Sequence, residues 1–348
     1  MRIMLLLLIP LIFPSASVSA QSSTNLSGWD GVTSVIEASD LNELVVIVGN
    51  ADGILYQHAK GFLVQFGGED FTVDIYSASK WLTAATIMQL VEQGVMSLDD
   101  RPQDYLDWWT AAPSDPRSQV TLAQLLSFTS GFSGEPLCIF LGNAGFEDCA
   151  RRMYDNFHNY TPGTAYVYSS THMHIAGVMA EQATGRSFNQ LFRELVADPL
   201  GISEATRFAT PSETNPWPAG GGQSTANDYA RFLEALLRGD ILARSRAVMF
   251  RDWTAAPVQI VQSPMDGFAD WHYALGAWRE CYEPSWAPNC ADEVLISSGG
   301  AAGWFPWIDV ERGYYGLIAR NTPRSVGESI LLATEIRPHI HEALGSLN

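Results

Sequence analysis

The segment YSASK, residues 76–80, places a serine three residues before a lysine. At the start of a helix, Ser77 and Lys80 share one face, with their Cβ atoms about 5–6 Å apart. A serine on the first helical turn lies near free backbone N–H groups, which favour negative charge. A desolvated, neutral lysine beside it acts as a general base toward the hydroxyl. The pair predicts a nucleophilic serine, and the alternative is an ordinary helix lysine that points to solvent.

Two later segments carry residues that such a serine would use. Tyr168 follows a Pro-Gly loop and precedes a predicted helix, and a tyrosine beside a lysine transfers protons. The segment SSGG, residues 297–300, lies between two predicted strands, where small residues let a substrate approach the backbone. Taken alone, each segment is better explained by a core tyrosine or a glycine-rich turn.

The spacing of apolar residues predicts the elements that position these segments. The predicted strands are 41–49, 53–64, 71–75, 273–280, 293–300, 303–310 and 314–321. The predicted helices are 80–94, 121–129, 172–185, 187–201, 224–239 and 328–346, and Ser224 is the predicted N-cap of the fifth. Strands at both ends with helices between them predict an α+β fold, in which helices flank an antiparallel sheet built from both chain ends. A mostly helical region is inserted into that sheet.

The bulk composition excludes some partners. The chain has 348 residues, of which 47% are hydrophobic and 17% charged, so it is long and apolar enough to bury a full core. Its formal net charge of −18 disfavours nucleic acid and anionic membrane surfaces as partners.

The N-terminal residues are typical of an export signal. Arg2 precedes the apolar segment MLLLLIPLIF, and Val18-Ser19-Ala20 is a suitable cleavage site before Gln21. We therefore predict a signal peptide at 1–20, no membrane anchor after its cleavage, and a periplasmic or secreted protein. An uncleaved anchor helix is the alternative.

Four cysteines are expected to form disulfides in an exported protein. Of the three possible pairings, the one that joins near neighbours, Cys138 with Cys149 and Cys281 with Cys290, is favoured. Each short loop closed in this way contributes about 2–3 kcal/mol. No zinc site is expected, because the chain has no CxxC and no histidine stands beside the cysteines. The pairs His172/His174 and His339/His341 are two residues apart, so on helices they face different directions and predict no metal site.

Together, the three polar segments resemble motifs of the serine β-lactamase and penicillin-recognising superfamily. The resemblance is closest to the branch of class C β-lactamases, D-alanyl-D-alanine carboxypeptidases and family VIII esterases. That branch carries Ser-x-x-Lys, then Tyr-x-Asn, then Lys/His-Thr-Gly. Flanking segments are also similar, including LLSFTSGF (125–132), PGTAYVYSS (162–170), YALGAW (273–278) and SSGGAAGW (297–304). The resemblance extends from about residue 30 to 345.

The resemblance implies a β-lactamase/transpeptidase-like fold. The mature chain, 21–348, would form a single catalytic domain. Its α/β part would comprise 30–80 and 266–348, and its helical part 81–265.

The resemblance also implies a role for each matching residue. Ser77 would be the nucleophile that forms an acyl-enzyme, Lys80 its proton partner, and Tyr168 a general base or acid. The backbone amides of Ser77 and Gly300 would form the oxyanion hole, and Ser298 would occupy the position of the family's threonine. No metal and no cofactor are implied.

Two departures from the family pattern predict the kind of substrate. Ser170 replaces an asparagine that holds a substrate amide, and Ser297 replaces the cation that faces a substrate carboxylate. Loss of that charge-assisted contact is worth about 1.5–3 kcal/mol, or a tenfold to hundredfold weakening. Arg320 is a candidate replacement cation, and Trp304 is a candidate wall for an apolar acyl pocket.

With the export signal, the motifs and their departures favour an exported serine hydrolase that acts through an acyl-serine and resembles an esterase more than an efficient β-lactamase. Its expected substrate is a small-molecule ester, amide or peptide. A D-amino-acid peptidase, amidase or β-lactamase of the same fold is the first alternative. A catalytically silent binding protein on this scaffold is the second.

Overall fold

A seven-stranded antiparallel sheet, with strands from both ends of the chain, is the framework of the protein. The computed structural model describes residues 28–61, 71–266, 268–282, 285–287, 290 and 292–346. Helices lie between the N-terminal and C-terminal strands along the chain, so the predicted α+β architecture is confirmed. The predicted signal peptide, 1–20, lies outside the described residues.

The strands and helices are numbered in chain order. The strands are β1 (Leu44–Asn50), β2 (Gly53–Lys60), β3 (Val73–Asp74), β4 (Ala165–Val167), β5 (Arg207–Phe208), β6 (Pro211–Ser212), β7 (Asn215–Pro216), β8 (Gly222–Ser224), β9 (Gln259–Gln262), β10 (His272–Tyr273), β11 (Trp278–Glu280), β12 (Leu295–Ser297), β13 (Phe305–Asp309) and β14 (Tyr314–Arg320). The helices are α1 (Asp30–Ala38), α2 (Ser79–Glu92), α3 (Leu122–Leu126), α4 (Phe146–Asn156), α5 (Ser170–Thr184), α6 (Phe188–Phe192), α7 (Ala226–Arg238), α8 (Arg246–Met249) and α9 (Val326–Gly345). A 3₁₀ turn, Tyr76–Ala78, precedes α2 directly. In the large sheet the strand order is β10-β11-β12-β13-β14-β1-β2, so the N-terminal hairpin adds to the edge formed by the last strand of the chain.

Helices cover the sheet and explain its composition. In β1, Leu44 to Val48 form a continuous apolar run that is fully buried. Helix α7 packs against β1, β13 and β14, while α9 packs against β13 and α1. A strand with helices over it needs apolar residues at consecutive positions, which is why β1 shows no alternation.

Helix α2 lies at the centre of the inserted region. Every residue from Ser79 to Met88 is buried, and the helix packs against α5. A helix that is apolar or small on all sides belongs in a core. Lys80 on its first turn is therefore a buried lysine, and the alternative of a solvent-facing helix lysine is wrong.

The predicted strand 273–280 is in fact two strands. The extended backbone ends at Tyr273, and β10 and β11 form a hairpin in which Tyr273 pairs with Trp278. Gly276 lies in the turn with φ +74°, and a Cβ there would clash with Ala84 of α2. Only glycine combines a left-handed conformation with so close an approach, so the chain reverses at this point.

The predicted N-cap of α7 is wrong by one residue. Ser224 ends strand β8, and its hydroxyl lies 3.0 Å from the Thr206 hydroxyl. Thr225 is the cap, because its side-chain oxygen accepts the N–H of Asp228 at 3.2 Å. Threonine and serine cap helices by the same hydrogen bond, so the local sequence does not distinguish them.

Both disulfides join the neighbouring cysteines favoured by their spacing. Cys138 pairs with Cys149, with Cα atoms 5.6 Å apart, and Cys281 pairs with Cys290, with Cα atoms 5.2 Å apart. Among the helices of the described residues, none has the length and apolar character needed to cross a bilayer.

Candidate active site

Ser77 lies on a tight turn between β3 and α2. Tyr76 has a φ of +47°, a left-handed conformation that is unusual for a bulky residue and that costs about 1–3 kcal/mol. The amide of Ile75 donates to Gly222 O at 2.9 Å, which fixes the incoming backbone to β8. The turn therefore presents the half-buried Ser77 at the N-terminal end of α2.

Lys80 contacts the other two predicted catalytic residues. Its side chain is buried, and the residue is only 2% exposed. Nζ donates to Ser77 Oγ at 3.0 Å and to the Ala219 carbonyl oxygen at 2.7 Å. Nζ also lies 4.6 Å from the centre of the Tyr168 ring. The distance to Ser77 is within the reach of direct proton transfer, so a neutral Lys80 could accept the hydroxyl proton.

Tyr168 is held by aromatic packing. Its ring stacks on Trp278 with centroids 5.5 Å apart, and it meets the Phe128 ring edge-on at 5.4 Å. Its backbone N–H donates to Gln262 O at 3.0 Å, just after β9 pairs with β4. The structure thus brings Tyr168 beside Lys80, and the contact between them is made by the face of the ring.

Ser170 is engaged by other parts of the protein. Its hydroxyl accepts a hydrogen bond from Trp217 Nε1 at 2.9 Å, and its backbone N–H donates to Glu135 at 2.7 Å. Glu135 thereby caps helix α5, because a carboxylate at a helix N-terminus satisfies a free N–H group. Sequence reasoning missed Glu135, which lies far before α5 in the chain. The hydroxyl of Ser170 accepts from the indole and retains one O–H donor, whereas an asparagine offers two N–H donors and a carbonyl oxygen to a substrate.

The third motif lies against the Ser77 turn. The hydroxyl of Ser298 donates to the backbone oxygen of Ser77 at 3.3 Å. Ser297 is fully buried in β12 and pairs with Trp278 on one side and Trp307 on the other. Within the described part of the chain, its hydroxyl has no hydrogen-bond partner. The motif therefore packs against the nucleophile without offering a cation to it.

The predicted oxyanion role of Gly300 is not supported by its geometry. Its N–H donates to Trp304 O at 2.7 Å and so is already used in a turn. A Cβ at this position would clash with the carbonyl oxygen of Ile75. Glycine is therefore needed here because the turn approaches the Ser77 segment closely. An oxyanion donor must instead have its N–H free to point at the developing charge.

The pocket beside Ser77 is small and mostly apolar. Its volume is about 110 Å³, and Ser77 and Tyr168 supply its polar groups. The other residues that line it are Pro264, Met265, Trp271, Trp278, Gly299, Ala301, Phe305, Val326 and Ile330. Within the described ranges, no Asp, Glu, Lys or Arg lines this pocket. Trp278 lies in the segment YALGAW, whose similarity to the family could have indicated a place at the site. No sequence pattern pointed to Met265 or Ile330 as pocket residues.

Two predicted contributors to this pocket lie elsewhere. Trp304 and Arg320 line a different cavity, together with Val45 and Val73. Arg320 donates to Glu328 at 3.0 Å. The proposals that Trp304 walls the acyl pocket and that Arg320 replaces the missing cation are therefore wrong.

The histidines near the site are neutral core residues. Burial lowers the pKa of His172 to about 3. Its Nε2 donates to Val167 O at 2.9 Å, and its Nδ1 accepts from the Ser130 hydroxyl at 2.8 Å. Burial also lowers the pKa of His174 to about 4, and its Nε2 donates to Phe146 O. No cluster of His, Cys, Asp or Glu that could hold a metal ion occurs among the described residues.

Comparison with known proteins agrees with this architecture. Residues 40–339 match the model of the family described as Beta-lactamase. The chain is 29% identical over 299 residues to penicillin-binding protein 4 of Amycolatopsis lactamdurans, covering 75% of this chain and 76% of that protein. It is 28% identical over 193 residues to esterase EstB of Burkholderia gladioli, covering 48% of this chain and 49% of EstB.

A solved structure gives the same result over a longer alignment. The structure of a candidate β-lactamase from Bacteroides dorei DSM 17855 superposes with a TM-score of 0.74 and 28% identity. The superposition covers 91% of this chain and 99% of that one. The chain therefore belongs to the β-lactamase family, within the serine β-lactamase and transpeptidase superfamily.

Proposed function

We propose that this protein is an exported serine hydrolase that cleaves an ester or amide bond through an acyl-serine intermediate, with esters preferred. The observation that carries the proposal is the 3.0 Å contact between buried Lys80 and Ser77 Oγ at the edge of an apolar pocket. The similarity to EstB, an esterase, supports the same function.

The geometry supports a two-step mechanism. The amine of Lys80 accepts the hydroxyl proton while Ser77 Oγ attacks the carbonyl carbon of the substrate. The carbon–oxygen bond to the alcohol then breaks, and the alcohol leaves with a proton from Lys80 or Tyr168. Water attacks the acyl-serine, its proton passes to the same groups, and the carboxylic acid is released as Ser77 is restored.

The surroundings of Ser77 favour an uncharged substrate. The pocket is lined by aromatic and aliphatic side chains, and no cation in the described residues lines it. A β-lactam antibiotic carries a carboxylate, which such a wall leaves without a partner. We therefore propose weak or no β-lactamase activity. Because the chain is similar to a penicillin-binding protein, penicillin hydrolysis should be measured together with ester hydrolysis.

The hydrolase proposal is tested by labelling and turnover on one preparation. Wild-type protein should react with a fluorophosphonate probe and hydrolyse p-nitrophenyl butyrate. Ser77→Ala should lose labelling and at least about a thousandfold in kcat/KM. Ser34→Ala, an exposed serine on α1, is the matched control and should behave as wild type.

Each outcome of that test separates one alternative. Faster turnover of nitrocefin than of the ester contradicts the ester preference, and faster release of D-alanine from a D-Ala-D-Ala peptide favours a peptidase. No labelling and no ester turnover would overturn the hydrolase proposal and favour a binding protein.

Export is a separate part of the proposal. Disulfides persist in oxidising compartments, so the pairs Cys138–Cys149 and Cys281–Cys290 support a location outside the cytosol. N-terminal sequencing of the protein recovered from its native host should begin at Gln21. A chain that keeps residues 1–20 would contradict cleavage and favour the anchor alternative.

A further inference from the structure

A second, larger cavity lies beside the Ser77 pocket. Its volume is about 590 Å³, and the side chains of Trp271 and Ile330 line both cavities. Small-molecule sites typically measure about 300–1,000 Å³, so this cavity has the size of a ligand site. The Ser77 pocket, at about 110 Å³, has room for only a small group around the reacting bond.

Large apolar side chains are exposed at the rim of the larger cavity. Phe268 is 44% exposed, Tyr282 is 37% exposed and Leu331 is 55% exposed, and all three line it. A single exposed apolar residue needs no explanation, but several around one concave surface mark a binding site. The rim therefore favours an apolar occupant.

The charged residues of this cavity are already paired within the protein. Buried Arg337 donates to both carboxylate oxygens of Glu280, at 2.8 and 3.3 Å. Arg312 donates to Asp309 at 3.1 Å. A charged ligand would find each of these cations neutralised by a carboxylate, whereas an uncharged ligand displaces no ion pair. The lining thus favours an occupant without charge.

We propose that this cavity, here called the α9 cavity, binds an uncharged aromatic or alicyclic body of the substrate while Ser77 attacks the attached ester. The α9 cavity is defined by Trp271, Glu280, Tyr282, Ile330, Thr334 and Arg337. The inference deepens the proposed function and rests on it for the identity of the reacting bond. The acyl group or the alcohol could carry the body, and the substrates of the test distinguish the two.

The test fills the cavity with one substitution. Thr334 is an exposed residue of α9 that lines the cavity, and Thr334→Trp places an indole there. Glu335→Trp is the matched control, since Glu335 is the next residue, is also exposed and does not line the cavity. Helix propensities of residues other than glycine and proline span only about 0.7 kcal/mol, so Thr334→Trp and Glu335→Trp should both fold.

Two pairs of esters then report on the cavity. Ethyl cyclohexanecarboxylate against ethyl acetate varies the acyl group, and 2-naphthyl acetate against ethyl acetate varies the alcohol, with acid release followed by titration. Thr334→Trp should lower kcat/KM for the bulky member of one pair by about tenfold or more, mainly through KM, while kcat/KM for ethyl acetate changes by less than about twofold. Equal effects on bulky and small esters, or none, would overturn the proposal.

Direct binding separates the cavity from the chemistry. Ser77→Ala protein should enhance the fluorescence of N-phenyl-1-naphthylamine, an uncharged aromatic probe. The double variant that also carries Thr334→Trp should lose that enhancement. The double variant that also carries Glu335→Trp should keep it. Equal enhancement in both double variants would contradict the cavity site. Selective loss in Thr334→Trp, in a protein whose wild type turns over no ester, would retain the site and overturn the hydrolase proposal alone.

Discussion

The two sides of Ser77 differ in chemical character. On the α2 side, Lys80 donates to Ser77 Oγ at 3.0 Å and to Ala219 O at 2.7 Å. On the pocket side, segments from just before β10 to α9 present aromatic and aliphatic side chains such as Trp271 and Ile330. Ser77 and Lys80, the groups suited to forming an acyl-enzyme, are in contact. Among the described residues, the pocket wall has no cation that could recognise an anionic substrate. Tyr168 belongs to both sets of groups, but Lys80 and the apolar wall lie on separate elements, which separate substitutions should perturb independently.

The largest expected effect is on the polar side. Lys80→Met removes the proton acceptor and should lower kcat/KM for p-nitrophenyl butyrate by about 10²–10⁴-fold. Lys80→Arg retains a positive charge but cannot be deprotonated, so it should be impaired to a similar extent. Thermal unfolding of both variants checks that replacing the buried Lys80 side chain has not unfolded the protein. Near-normal activity in Lys80→Arg would mean that Lys80 supports catalysis through its positive charge and not through proton transfer.

Tyr168→Phe tests the hydroxyl on the same side. The ring, its stacking on Trp278 and its contact with Lys80 are retained, so only the hydroxyl is lost. We expect kcat to fall by about tenfold to hundredfold if that hydroxyl transfers a proton. Tyr166→Phe is the control, because Tyr166 is fully buried and its hydroxyl has no hydrogen-bond partner in the described residues. Unchanged kcat in Tyr168→Phe would leave only a packing role.

Val326→Lys tests the apolar side by giving it a cation. Val326 is half-buried at the start of α9 and lines the Ser77 pocket, so a lysine there can keep part of its hydration. The ratio of kcat/KM for mono-p-nitrophenyl succinate to that for p-nitrophenyl butyrate should rise by about tenfold. Val326→Gln has a similar length and no charge, and it should leave the ratio near wild type. An unchanged ratio in Val326→Lys would mean that charge recognition does not occur at this wall.

The same division separates what the sequence could predict from what it could not. The i, i+3 spacing of Ser77 and Lys80 is local, so a helix places both residues on one face whatever the surroundings. Likewise, alternating and continuous apolar segments at both ends were sufficient to predict the antiparallel sheet. The wall depends on bringing distant segments together, such as those of Trp271 and Ile330, which both line the pocket and for which no local pattern exists. Trp304 was assigned to the wrong cavity for that reason: Gly299 and Ala301 of the same segment line the Ser77 pocket, while the Trp304 ring packs on Tyr229.

The smallest expected effect concerns Ser297, where the family has a cation. A buried hydroxyl without a partner has lost its hydration and gained nothing, so Ser297→Ala should raise the free energy of unfolding by up to about 1 kcal/mol. Activity on p-nitrophenyl butyrate should stay within about twofold of wild type. Ser298→Ala, the neighbouring control, removes the hydrogen bond to Ser77 O and should lower the free energy of unfolding by about 0.5–1.5 kcal/mol. If Ser297→Ala instead destabilises the protein or slows the ester reaction, its hydroxyl has a partner in solution, and the contrast between the two sides of Ser77 is smaller than the structure indicates.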